Sequence, residues 1–297
     1  MRPDRTIDTV AGRGCGFADG IGENARFNDP EGLAVDLDGT HLVADRYNHR
    51  LRRVDPATSA VTTVAGTGLP GLAPEGAVAA TAPLNRPCDV AVGPDGAIYV
   101  SEWGNARIVR MATEPPDGQL RVRTYAGTPG VPGDDGDGGP ATAAHLSNPC
   151  GLGIAPDGVV YVADYTANRV RRIVPGLGSG GATIHRFAGN GTNTRYDGDG
   201  GDPGVAGVSV PVDVALNPAT GAVYFSEYGH SVVRVVRDEG SGLIIRTAAG
   251  SGVFGFDGDG GLARRASFDT PFGLALDADG GLYVADYKNN RIRHAHF

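Results

Sequence analysis

The chain has 297 residues, enough for a sizeable core, and its 48 Gly and 20 Pro point to many tight turns between short strands rather than to disorder. A formal net charge of −8 argues against nucleic-acid partners and anionic membrane surfaces, which need a surplus of Lys and Arg on one face. Three cysteines (Cys15, Cys88 and Cys150) are too few for a disulfide framework, no apolar run has transmembrane length, and no signal-peptide core follows Met1. The expectation is a soluble monomer, cytoplasmic as given or secreted with its signal removed.

In chain order, IDTVAG near the start reads as a strand with no repeat before it. Five blocks then recur at a period of roughly 60 residues: GLAVDLDGTHLVADRYNHRLRRV, DVAVGPDGAIYVSEWGNARIVRM, GLGIAPDGVVYVADYTANRVRRI, DVALNPATGAVYFSEYGHSVVRVV and GLALDADGGLYVADYKNNRIRHA. A fixed register precedes each block. Ala25, Ala82, Ala144, Ala206 and Ala266 stand two residues before Phe27, Leu84, Leu146, Val208 and Phe268, which stand three before Pro30, Pro87, Pro149, Pro211 and Pro271.

Each unit reads as four strands. A short apolar run follows the proline, and an Asp-Gly turn (Asp38-Gly39, Asp95-Gly96, Asp157-Gly158, Asp279-Gly280) leads to the LVAD-type second strand. A polar turn gives the LRRV-type third strand, and TVAG the fourth. No segment carries sustained helical periodicity. The pattern predicts an all-β chain, 1–297, forming one domain: a single five-bladed β-propeller of four-stranded antiparallel blades. The chain ends on a third strand, so the N-terminal strand is expected to complete and close the last blade.

The residues P-x-G-L-A-V-D, D-G-x-x-Y-V-A-D and N-x-R-I-R-R resemble the NHL repeat, over about Ile7 to Phe297. The chain is similar to a stand-alone, bacterial-type member of that family, with five copies and longer spacers where its propellers are most often six-bladed. The resemblance implies the fold. Function is left among RNA-binding domains, protein-interaction modules, and metal-dependent lyases and lactonases, because one fold hosts many chemistries.

The propeller strand order brings the Gly/Asp-rich spacers and the D-x-x-N-x-R turns to one end of the blades. An acid ends every second strand (Asp45, Glu102, Asp164, Glu227, Asp286). Five residues later stand Arg50, Arg107, Arg169 and Arg291, with Val232 in the fourth copy, so acid and arginine are expected to brace the turn. The runs around Asp135-Gly136-Asp137, Asp197-Gly198-Asp199 and Asp257-Gly258-Asp259 resemble the start of calcium loops, yet lack EF-hand spacing; Asp-Gly turn chemistry is the default.

Positions that differ between blades are the better candidates for function. After the proline come Glu31, Cys88, Cys150, Val212 and Phe272, then Gly32, Asp89, Gly151, Asp213 and Gly273. After the acid come Arg46, Trp103, Tyr165, Tyr228 and Tyr287. These suggest an acidic and aromatic pocket for a small molecule or peptide, with Arg46, Trp103, Tyr165, Tyr228, His230, Phe272, Tyr287, Cys88 and Cys150 as ligand-binding candidates. Cys88 and Cys150 read as a soft-metal pair, a disulfide or two small apolar plugs.

The alternative reading is an enzyme, a lyase, hydrolase or cyclase, using Glu31, Asp89 and Asp213 as catalytic carboxylates. Asp89 with Glu102, and Asp213 with Glu227, are joint changes whose bland reading is a hydrogen bond within the turn. The cofactor is unknown; a divalent cation has His49, His145, His230 and Glu31 as its candidate ligands. A protein-interaction scaffold is the remaining alternative.

Overall fold

Every proline of the register opens a strand. In a computed structural model describing residues 8–176, 181–192 and 196–297, the first blade comprises Pro30–Val35, His41–Asp45, Arg50–Val54 and Ala60–Ala65. The second is Pro87–Val92, Ile98–Glu102, Arg107–Glu114 and Gln119–Ala126. Short strands, Gly20–Ile21 and Ala77–Val78, pair onto the outer edges of these two sheets. Blade three is Pro149–Ile154, Val160–Asp164, Arg169–Val174 and Thr183–Ala188. Blade four is Pro211–Leu216, Val223–Glu227, Val232–Asp238 and Leu243–Ala249. Blade five contributes Pro271–Leu276, Leu282–Asp286 and Arg291–Ala295.

All pairings within the blades are antiparallel and follow chain order, the meander of a β-propeller blade. The fold is an all-β, five-bladed propeller. Of the IDTVAG run expected to complete blade five, Ile7 lies outside the described residues, Asp8 to Gly12 form no strand, and blade five has three strands among the described residues. The residues form two compact units, Met1–Thr124 with blades one and two and Tyr125–Phe297 with blades three to five. In the first unit, Leu42, Leu51, Leu84, Val100 and Met111 are fully buried in one cluster. In the second, Val170, Val208, Phe225, Val236 and Ile245 form the centre of another.

The Asp-Gly turns are hairpins as expected, with Gly39, Gly96, Gly158 and Gly280 at φ between 75° and 85°, a region costly for residues with a Cβ. The same demand fixes the spacers. Gly136, Gly198 and Gly258 lie at φ 87–88°. A side chain there would approach Ala144, Ala206 or Ala266 to within 2.5–2.6 Å. Glycine and its buried alanine are thus two halves of one close backbone approach, which accounts for the alanine in the repeat register.

The acid ending each second strand is fully buried in every blade. It accepts the backbone N–H of the residue two before the next-paired proline: Asn28 to Asp45 at 2.8 Å, Asn85 to Glu102 at 2.8 Å, Ser147 to Asp164 at 2.6 Å, Ser209 to Glu227 at 2.9 Å and Asp269 to Asp286 at 2.8 Å. Its cationic partner differs from the expectation. Arg107 does pair with Glu102, at 2.6 Å, five residues on. In the other four blades the partner is seven residues on: Arg52 (2.7 Å), Arg171 (3.4 Å), Arg234 (3.4 Å) and Arg293 (3.3 Å). Residues five and seven past the acid share one side of the strand, and the deeper place is the seventh. Arg50, Arg169 and Arg291 instead reach carbonyl oxygens at the loop end.

The spacer aspartates are used by the same arginines. Asp137, Asp199 and Asp259 ion-pair Arg171, Arg234 and Arg293 at 2.8, 2.8 and 2.7 Å. The calcium-like runs therefore anchor spacer to blade. A third donor completes most of the buried sites. Asn48, Asn105 and Asn289 each donate to the blade's acid at 2.9 Å, and His230 takes that place beside Glu227 at 2.7 Å. Blade three has Ala167 there. With one donor missing and Arg171 at 3.4 Å, burial pushes Asp164 up to about 7.

Two outcomes follow from this geometry. Arg171→Met leaves Asp164 buried without its cation and is expected to cost about 3–5 kcal/mol in guanidinium unfolding. Ala167→Asn restores the third donor. Because the raised Asp164 binds a proton in the folded state before it does so unfolded, its contribution to wild-type stability falls as pH rises from about 4 to 7. Unfolding curves at pH 5 and pH 8 should show Ala167→Asn stabilising the protein more at pH 8.

Candidate functional site

In every blade the opening proline pairs with the buried acid (Pro30 with Asp45, Pro149 with Asp164, Pro211 with Glu227, Pro271 with Asp286), and the ladder then slips before the next pair. Blade two slips too, between Pro87 and Asp89. The variable residues after the proline occupy these irregularities, where a bulge re-aims side chains. The residue before each proline (Asp29, Arg86, Asn148, Val210, Thr270) is left-handed, with φ from 49° to 59°. Valine and threonine are costly there. Side chains of the preceding blade help hold that shape: Arg86 N–H donates to His49 Nδ1 at 3.1 Å, and Val210 N–H to Asn168 Oδ1 at 2.9 Å.

In the first unit, Glu31 is ion-paired with Arg46 at 2.7 Å. The Arg46 guanidinium lies 4.8 Å from the Trp103 ring centre and 5.5 Å from that of Tyr47. Cys88 is fully buried. Asp89 Oδ1 accepts from Val90 N–H at 2.8 Å, within its own turn. A side chain at Gly32 would come within 2.4 Å of the Asp89 Cα. The Gly–Asp alternation between neighbouring blades is therefore steric complementarity.

In the second unit the same relation holds, since a side chain at Gly151 would meet the Asp213 Cα at 2.5 Å. Asp213 Oδ1 accepts from Val214 N–H at 2.8 Å, and Oδ2 from Leu274 N–H of blade five at 2.7 Å. Burial pushes this carboxyl up to about 6 against the pull of both amides. Asp213 and Glu227 use separate partners. Phe272 and Tyr287 pack with ring centres 5.8 Å apart, and Lys288 Nζ lies 5.8 Å from the Tyr228 ring. Tyr287 is 62% exposed. Cys150 is buried and Tyr165 partly buried.

The candidate metal ligands are each engaged within or next to their own blade. His49 Nδ1 accepts the Arg86 amide, and burial with two neighbouring arginines lowers its pKa. His145 Nδ1 lies 2.6 Å from Asp135, and His230 Nδ1 2.7 Å from Glu227. Glu31 holds Arg46. Tyr47 and Lys288 were not among the candidates, and their signal in the sequence is their place beside Arg46 and Tyr287.

The NHL repeat family model matches residues 27–53 and 268–294. The chain is 31% identical, over 94% of its length, to Protein SUPPRESSOR OF QUENCHING 1, chloroplastic, of Arabidopsis thaliana, covering 26% of that protein. It is 26% identical, over 99% of its length, to NHL repeat-containing protein 2 of Gallus gallus, covering 42% of it. The chain thus spans well under half of these curated relatives. Among solved structures, an auxiliary nutrient binding protein from Bacteroides ovatus matches with a TM-score of 0.56 at 16% identity, over 97% of this chain and 76% of that one.

Carbon-detected NMR titration should find the Asp213 carboxyl titrating near 6, above the exposed aspartates. A raised folded-state value means that this group favours the folded state most at low pH, with the contribution lost as pH rises from about 4 through 6.

Proposed function

We propose that this chain, an NHL-repeat β-propeller, is a binding module that takes a small molecule or peptide on the loop end of blades four and five. The observation that carries the reading is the grouping of Tyr228, Phe272, Tyr287 and Lys288 at the positions where blades differ. Aromatic rings offer large contact area at little entropic cost, and exposed aromatics grouped at a loop end are a common mark of binding surfaces. The carboxylates that chemistry would need are engaged: Glu31 by Arg46, Glu227 by Ser209 N–H, His230 and Arg234, and Asp213 by two backbone amides. The likeness to a nutrient-binding propeller agrees with a binding role.

One observation favours a second reading. A carboxyl at about 6 is suited to general acid–base work near neutral pH, so Asp213 is the residue on which an enzyme would turn.

Calorimetry against a metabolite and short-peptide library tests the first reading. Tyr287→Ala and Phe272→Ala are expected to weaken a hit at least about tenfold while the melting temperature moves by only a few degrees. Unchanged affinity in both variants would sink it. Turnover of a hit that is lost in Asp213→Asn would favour the enzyme instead.

A further inference from the structure

Blade three departs from its neighbours at two positions that meet in one groove. The first lies eight residues after the buried acid, where the side chain is tied back to the hairpin aspartate. Arg53 pairs with Asp36 at 2.7 Å and Asp38 at 3.3 Å, Arg110 with Asp95 at 2.6 Å, and His294 with Asp277 at 2.9 Å. In blade three the corresponding residues are Arg172 and Asp157. Among the described residues Asp157 accepts only the Val159 amide of its own turn, at 3.1 Å. Among the described residues no carboxylate ion-pairs Arg172, whose Nε is buried without a hydrogen-bond partner.

The second position faces the buried arginine across the third and fourth strands. Arg52 stands opposite Thr63 and Arg234 opposite Thr247, but Arg171 stands opposite Arg186. The threonines hold the spacer acid: Thr63 Oγ1 bonds Asp19 at 3.2 Å, and Thr247 N–H donates to Asp199 at 3.0 Å. Thr124 of blade two does the same for Glu75, through its N–H at 3.0 Å. Arg186, which stands in this place, makes no such bond among the described residues. It is exposed, and among the described residues it has no ion-pair partner.

Both guanidinium groups line a groove of ≈ 600 Å³ between the outer strands of blades three and four, together with Phe187, Leu243, Ile244 and Asp202. Asp202 Oδ1 accepts the Gly204 amide at 2.8 Å, and its carboxylate adds one negative charge to the lining against the two arginines. Two arginines with no ion-pair partner among the described residues, set beside apolar side chains, make a locally cationic and apolar groove in a chain of net charge −8. The fold does not depend on this pair of arginines, because blades one and two carry a tied arginine and a threonine at these places and blade four carries Val235 and Thr247.

We propose that this groove binds an amphipathic oxyanion, a phosphate, sulfate or carboxylate carried on an apolar body, with Arg172 and Arg186 pairing the anion and Phe187, Leu243 and Ile244 covering the body. The site is independent of the aromatic loop-end surface. Arginine suits it because its planar fork pairs with such anions through two hydrogen bonds.

Calorimetry on the full chain at low salt, with hexyl phosphate, hexyl sulfate, hexanoate and hexanol as probes, tests the assignment. At least one anion is expected to bind saturably with one site, and hexanol is not. Which anion binds separates phosphate or sulfate from carboxylate ligands. Arg186→Thr installs the residue used by three other blades, and Arg172→Gln removes the second charge; each should weaken binding about tenfold or more. Binding of no anion, equal binding of hexanol, or unchanged affinity in both variants overturns the proposal.

Discussion

A carboxylate sealed from water at the end of every second strand is the constraint on which the rest of each blade depends. Alone it would be costly to bury, and its partners determine much of the repeat. A backbone amide ties the loop before the inner strand to it. An arginine from the third strand neutralises it, and that arginine in turn recruits an aspartate from the spacer. One buried charge thereby joins segments up to 37 residues apart, such as Arg234 and Asp197. It does so through hydrogen bonds that a β-meander alone would not supply. Strength comes less from the pair itself than from the penalty for leaving either member unpaired.

The repeat register, the hairpins and the antiparallel meander were legible in the sequence because each rests on a local demand. Asp-Gly asks for a turn, alternation asks for a half-buried strand, and five copies at fixed offsets leave little freedom. The arginine partner was not legible. Three blades carry arginine both five and seven residues after the acid, and strand alternation places both on the same side. The two blades that could have decided, with Arg107 and Val109 in one and Val232 and Arg234 in the other, give opposite answers. Only the depth of each position in the sheet resolves it.

The candidate site was legible in part. Positions that vary between blades did prove to lie at the irregular start of the inner strand, where side chains are turned from the regular pleat. What each of them does there depends on partners distant in sequence. Glu31 holds Arg46, and Asp213 reaches across to the Leu274 amide. The Gly–Asp alternation looked like paired chemistry, while its cause is that Gly32 and Gly151 leave space for the backbone of the next blade. Arg186 gave no signal of its own, since an arginine without a partner looks in sequence like any other.

The left-handed residue before each inner-strand proline has a bearing on how such a protein can change. In blades two, four and five its amide donates to a side chain from the preceding blade, and its conformation is tolerated even as valine or threonine. The loop end is therefore shaped by main-chain geometry rather than by the identity of the residues displayed there. Those residues can be exchanged while the turn that presents them stays in place. A protein built this way can drift between ligands through single substitutions. The same property makes the bulge positions of one blade suitable for grafting onto another.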